Sequence, residues 1–170
     1  MSLIVETGAG LANAEAYADA AAFAAWHLAN YGTATTAGNP AAEAAIRRAV
    51  AYLESLDWVG LPARGRDQAL AWPRGYAIDR NGYGIEGDIV PREVIEAQHM
   101  LTVAEVANPG ALAPAVIARD QKVLVEVKGI KWQSLAGGAS TSSARTTVLA
   151  ALDRLTGLIA PVGAVRMERA

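Results

Sequence analysis

Apolar and small residues return at intervals of three and four in four stretches of the chain, and each stretch reads as a helix. The first opens at Asn13, a capping residue with Glu15 in the turn that follows, and runs to about Asn30 before Gly32. Tyr17, Ala20, Ala21, Ala24, Leu28 and Tyr31 share one face of it; Phe23 and Trp26 lie off that face, so this helix is expected to meet more than one neighbour. The second starts at Asn39-Pro40, a cap followed by proline in the first turn, and ends near Asp57. Its stripe is Ile46, Ala49, Val50, Leu53 and Leu56, with Glu43 and Arg47 as a favourable i,i+4 pair. Pro91 opens the third, about 91 to 107, with Val94, Ala97, Leu101 and Ala104 inward and Asn108-Pro109-Gly110 as its stop. The last begins near Ser140 or Thr141 and places Val148, Leu152, Leu155 and Ile159 on one side.

Period-two patterning is rarer. "LIV" at 3–5 suits a short strand, and Val123, Val125 and Val127 alternate with Leu124, Glu126 and Lys128 in a second, within a strand arm spanning 121–135 that bends at Gly129. Residues 58–91 fit neither period. They form a connection longer than structureless loops usually are, which implies an ordered or functional segment. Asn81-Gly82 between Ile78 and Tyr83 predicts a small hairpin inside it. In "WPR" at 72–74, Trp72 is expected to anchor in the core and Arg74 to bond carbonyls or a neighbour. The expected architecture is mainly α: a small helical bundle over residues 1–159 with a long ordered connection, a short β strand or hairpin arm, and a C-terminal tail from 160 to 170 that has no apolar pattern with which to fold alone.

Composition sharpens this picture. Hydrophobic residues make up 52% of the 170 residues, but many are alanine, which favours helix and buries little area per residue. The bundle is therefore thin, and neighbours would help it bury its larger side chains. Fifteen Lys+Arg against seventeen Asp+Glu give a net charge of -2, which argues against a general nucleic-acid binder with a basic face. With no cysteine, disulfides, thiolate zinc sites and cysteine nucleophiles are excluded. "MSLIVETGAG" has neither the basic region nor the apolar run of a signal peptide, and charges, glycines or prolines interrupt every stretch that could span a membrane.

The search for catalytic chemistry is negative. His27 and His99 sit on different predicted helices, each without a second ligand one turn away. Ser142 and Ser143 lack the nucleophile elbow and read as helix-start residues. "GLPARGRDQ" at 60–68 lacks the Lys-Ser/Thr of a phosphate loop, "GAGLANAE" at 8–15 lacks the dinucleotide fingerprint, and Glu93 with Glu96 reads as a solvated face. We expect no catalytic residue, no metal and no cofactor. The connection does gather Arg64, Arg66, Arg74, Arg80 and Arg92 with Trp58, Trp72, Tyr76 and Tyr83, the residue types of a single-strand stacking groove and equally of a protein–protein contact. Asp57, Asp67, Asp79, Glu86 and Asp88 make the same stretch locally neutral, and this favours the protein partner. Candidate partner-binding residues are Arg64, Arg66, Arg74, Tyr76, Arg80 and Tyr83 of the connection, Val123, Val125, Val127 and Trp132 of the strand arm, whose edge would invite pairing, and Val165, Arg166, Met167 and Arg169 of the tail.

Three blocks together carry a resemblance: "MSLIVETGAGLANAEAYADAAAFAAWH", "AAIRRAVAYLESL" and "ALAWPRGYAIDRNGYGIEGDIVPREVIEA". They resemble a family from tailed-bacteriophage morphogenesis operons that is labelled DnaT-like single-stranded-DNA-binding and looks similar to head–tail connector, or adaptor, proteins. The resemblance covers residues 1 to 107 well and the remainder in outline; Trp72, Pro73, Arg74, Asp79, Asn81, Gly82 and Pro91 stand at its most specific places. It implies a structural subunit rather than an enzyme, located in the virion neck after synthesis in the host cytoplasm. Such subunits form a ring, expected to be twelvefold, that docks on the portal protein and receives a stopper or tail-completion protein below. The ring would let DNA pass without sequence-specific binding and would have no membrane contact. The alternative reading is the one in the label, a single-stranded-DNA-binding protein.

Overall fold

The computed structural model describes residues 3–113 and 140–160, with side chains of the final helix described from residue 147 onward. The strand arm at 121–135, with Val123, Val125, Val127 and Trp132, lies outside the described residues. So does the tail from 161, with Val165, Arg166, Met167 and Arg169.

Four helices dominate the described residues: α1 (Ala20–Tyr31), α2 (Asn39–Glu54), α3 (Arg92–Ala107) and α4 (Ser140–Arg154). Two small antiparallel strand pairs lie between α2 and α3: β1 (Leu61–Pro62) with β2 (Arg74–Gly75), and β3 (Ala77–Ile78) with β4 (Gly84–Ile85). This is a small, mainly helical protein with a few short strands, as its periodicity implied. Helix α3 lies at the centre, packed against both α2 and α4, while α1 makes lighter contact with α2 and α3. Ile46, Ala49 and Leu53 of α2 and Val94, Ala97 and Leu101 of α3 are fully or almost fully buried, joined by Ala151 and Leu155 from the end of α4. These are the stripes the sequence predicted for α2 and α3. Only the partner residues of α4 differ, because the chain turns at Leu155 and buries Leu158, leaving Ile159 half-buried.

Helix α1 departs from expectation twice. It starts seven residues past Asn13, capped by Asp19, whose carboxylate accepts from the Ala22 amide at 2.8 Å. Residues 3–18 form an irregular arm that folds back on itself instead, with "LIV" reduced to a single bridge, Val5 to Ala16. The arm is held by α3: Gln98, fully buried, accepts from the Tyr17 amide at 2.7 Å and donates to the Ala18 carbonyl at 2.9 Å. Its inward face is also different. Phe23 is buried, whereas Leu28 and Tyr31, placed inward by the periodicity, are half exposed. A helix of alanines is apolar on every side, so its pattern selects no face; the bulkiest ring decides.

Helix α2 is preceded by Gly38 with no side-chain cap, so Asn39 is its first residue rather than its cap, and it ends three residues before Asp57. The Glu43–Arg47 pair forms at 3.8 Å, and Arg47 also reaches Glu15 at 3.2 Å. Glu105 closes the far end of α3. It is buried and accepts from the amides of Gly110 (2.9 Å) and Leu112 (3.0 Å) and from Arg48. Burial alone would raise the Glu105 pKa, but these donors together hold it below the usual carboxylate value.

Candidate nucleic-acid interface

The connection between α2 and α3 divides at residue 76. Its first half is built inward. Trp72 has no exposed surface and meets Trp58 edge to face, with ring centroids 5.8 Å apart. Trp72-Pro73 is cis, and Pro73 is fully buried beside it. The Arg74 guanidinium turns back under the strand pair and donates to the carbonyls of Val59 (2.7 Å), Gly60 (2.8 Å), Ala71 (3.1 Å) and Trp58 (3.4 Å). Four carbonyls converge here because Gly60 lets two backbones approach: a Cβ on it would stand 2.5 Å from the Gly75 oxygen. Arg74 therefore leaves the set of partner-facing candidates. It is 9% exposed, a buried charge satisfied by its own chain, and this agrees with the carbonyl-bonding role its sequence position allowed.

The same half is tied to α2 and the N-terminal arm through a half-buried carboxylate. Glu54 accepts from the Tyr17 hydroxyl at 2.6 Å and the Ala71 amide at 2.7 Å, and the Trp72 amide donates to the Tyr17 hydroxyl at 3.3 Å. Burial pushes the Glu54 pKa above its ordinary value despite these donors and the nearby Arg74 charge. The Tyr17 hydroxyl is pushed far up, first by burial and then by the Glu54 charge beside it.

The second half is built outward. At Tyr76 the backbone adopts a left-handed conformation (φ 59°), which turns the chain out of β2 and into β3. Strands β3 and β4 pair Ala77 with Ile85 and Ile78 with Gly84, and the intervening loop carries the Asn81-Gly82 step that predicted it. The Asp79 carboxylate shapes the tip by accepting from the amides of Asn81 and Tyr83, both at 2.8 Å. The bonds from Tyr83 and Asn81 hold the Asp79 pKa below its ordinary value. Tyr76 is 89% exposed, Tyr83 73% and Ile78 54%. The tip is nonetheless braced. A Cβ on Gly157, in the turn after α4, would lie 2.8 Å from Arg80 Cβ, so the hairpin rests directly on that turn.

Of the remaining candidates, Arg64 is exposed but lies across Gly10 and donates to the Ala9 carbonyl at 3.2 Å. Arg66 and Arg80 are exposed with no polar partner among the described residues. The structure thus carries Tyr76, Arg80 and Tyr83 on the exposed hairpin, leaves Arg66 exposed in the preceding half of the connection, and removes Arg74 from the exposed set.

Arg80 also borders a cleft of about 540 Å³ that sequence reasoning missed. Its walls come from the end of α1 (Trp26, Tyr31), from α3 (Glu96, Met100) and from the end of α4 (Asp153, Arg154). Behind it lies an aromatic stack: Trp26 on His99 with centroids 5.2 Å apart, His27 on Tyr31 at 4.8 Å, and Phe23 against both histidines at 5.9 and 6.0 Å. The two histidines thus approach the same phenylalanine, but among the described residues no three His, Asp or Glu side chains form a group that could hold a metal ion. Burial lowers the His99 pKa to about 4. No helix among the described residues is long and apolar enough to cross a membrane.

Over residues 1–170 the sequence matches the family described as "Putative DnaT-like ssDNA binding protein", and the chain belongs to that family. Comparison with curated proteins and with solved structures gives no match.

Proposed function

We propose that this chain is a binding protein without catalytic activity, and that it takes single-stranded DNA on the hairpin of residues 76–85. The observation that carries the reading is the pair of tyrosines, 89% and 73% exposed, on a braced two-stranded support whose tip carries Arg80, which lacks a polar partner among the described residues. Exposed rings on a rigid support stack bases with little ordering cost, and each stacked base contributes about 1–3 kcal/mol. Membership of the DnaT-like family supports the same reading. The near-neutral charge of the segment sets a further expectation. With Arg80 as the phosphate contact of the hairpin, the logarithm of affinity falls against log salt with a slope of about -0.7, far shallower than for a basic groove. Fluorescence anisotropy of a labelled oligo-dT tests this: Tyr83→Ala weakens binding about 5- to 140-fold, following the stacking range. Absence of binding by the unaltered chain at low salt overturns the reading.

A second reading, the ring-forming head–tail adaptor docked on a portal, is favoured by a different observation. Leu28 and Tyr31 on α1 and Leu149 on α4 each leave half or more of their surface exposed, as side-by-side packing of copies would require. Light scattering of the chain with and without a portal protein separates the two readings: a ring, or co-migration with portal, favours the adaptor, and a monomer that binds the oligonucleotide favours the first.

A further inference from the structure

We infer that the cleft between the ends of α1 and α4 seats one unstacked nucleotide of the bound strand, with its phosphate toward Arg80; this rests on the single-stranded-DNA reading above. Arg80 belongs to both places, since it stands at the hairpin tip and lines the cleft, so a strand lying on Tyr76 and Tyr83 passes directly to the cleft mouth. At 540 Å³ the cleft falls in the ordinary range for small-ligand sites, about 300–1,000 Å³, and exceeds what a base and sugar need.

Its walls match a nucleotide part by part. Trp26 and Tyr31 set their rings 6.0 Å apart at 69°, and Trp26 is fixed from behind by the stacked His99, so the aromatic wall is preorganised for a base. Glu96 is engaged by Arg154 and, at 3.6 Å, by Arg92, so it adds little net repulsion. Arg80 is then the cation left to meet a phosphate. Asp153, on the α4 side, disfavours a phosphate there but can accept from an amine. Asn30 also lines the cleft; its amide nitrogen donates to the Trp26 carbonyl at 2.8 Å, which leaves its side-chain oxygen as a second acceptor. The Asp153 carboxylate, which can only accept, and the Asn30 oxygen favour bases carrying an exocyclic amine, such as cytosine, over thymine, which has none.

The test uses the full chain and three probes: dCMP, dTMP and a mixed-sequence oligonucleotide. A mononucleotide cannot bridge hairpin and cleft, so it isolates the pocket. The expected result is saturable movement of the Trp26 indole N–H resonance by dCMP, assigned with Trp26→Phe, and weaker movement by dTMP. Ala150→Trp, which fills the cleft from α4, abolishes that movement and weakens the oligonucleotide about tenfold, the equivalent of one lost base contact, with helical circular dichroism unchanged. Tyr31→Ser, which removes a ring without filling space, gives a smaller loss in the same direction. If the oligonucleotide binds and responds to Tyr83→Ala but neither Ala150→Trp nor dCMP has an effect, the cleft assignment is wrong and the hairpin reading stands. If the oligonucleotide does not bind at all, both fall together.

Discussion

Residues 58–75 and residues 76–90 belong to one connection and carry the same kinds of side chain, aromatic rings and arginines, yet the first segment turns Trp72 and Arg74 inward, leaving Arg64 and Arg66 at its surface, and the second turns Tyr76, Arg80 and Tyr83 out. Trp72 and Arg74 have 0% and 9% of their surface exposed; Tyr76, two residues further on, has 89%. The difference lies in what the backbone offers. Around Arg74 four carbonyls are turned to one point, and a guanidinium with five donors can satisfy them at once. Around Arg80 no carbonyl cluster exists among the described residues, and the Asp79 carboxylate is already used by the turn amides. The inward half holds α2, the N-terminal arm and the strand pairs in register. The outward half is rigid at its base because of that, and so its rings are available to a partner at low entropic cost.

The strongest test of this division is Trp72→Ala. It should cost about 3–5 kcal/mol, the usual range for deleting a large buried ring, measured by urea denaturation. Trp72→Phe sharpens the point. The Trp72 indole nitrogen is buried without a hydrogen-bond partner in the structure, so removing it relieves an unmet donor, and the loss should be well under that of alanine. A small effect of Trp72→Ala would mean that the inward half is not an anchor and would erase the distinction between the segments.

The two halves are also pinned by carboxylates that titrate in opposite senses. Burial raises the Glu54 pKa above 4.5, so the folded state binds its proton more tightly than the unfolded chain does. Its contribution is fullest at pH below 4.5 and is lost as pH rises through the raised value. Asp79, on the hairpin, has its pKa held below 3.8; its contribution is present above that pH and is lost as pH falls through the lowered value. Denaturant titrations from pH 4.5 upward, comparing the chain with Glu54→Gln, should show the downward slope with pH diminish in the variant. Exchange of the Tyr83 amide, which bonds Asp79, should accelerate relative to the core only below pH 3.8. An unchanged slope in Glu54→Gln would place the Glu54 titration outside the folding equilibrium.

These contrasts bear on what a reader of the sequence can see. Helices α2 and α3 were legible because Ile46, Leu53, Val94 and Leu101 are large enough to fix a face, and the hairpin was legible because Asn81-Gly82 is a turn with a mechanism. The inward face of α1 was not, since alanine marks no side. Arg74 was doubly readable, as a carbonyl donor or as a contact, and only the meeting of Val59, Gly60 and Ala71 decides between them. Gln98 and Glu105 sit in a helix stripe like any surface polar residue, and their partners lie 80 or 81 positions away for Gln98 and 57 for Arg48. The cleft joins residues 26–31, 80, 96–100 and 150–154, a conjunction that no local pattern contains. Trp26, already off the expected face of its helix, was the one signal that could have led there.

The smallest expected effect is at the hinge between the halves. Tyr76 holds a left-handed conformation (φ 59°) that costs a residue with a side chain about 1–2 kcal/mol, and its ring is almost fully exposed and so returns little through burial. Tyr76→Gly removes that strain but adds about 0.5–1 kcal/mol of unfolded-state entropy, so stability should rise by about 0–1.5 kcal/mol. Oligonucleotide affinity, by contrast, should fall by one stacked base, about 1–3 kcal/mol. Thermal denaturation and anisotropy on the same preparation give both numbers. The strain is imposed by the turn from β2 into β3, which any residue at position 76 must make, so the test separates the backbone's role there from the ring's. If Tyr76→Gly instead destabilises the protein strongly and leaves binding untouched, the ring supports the fold, and the outward half of the connection differs from the inward half in exposure alone.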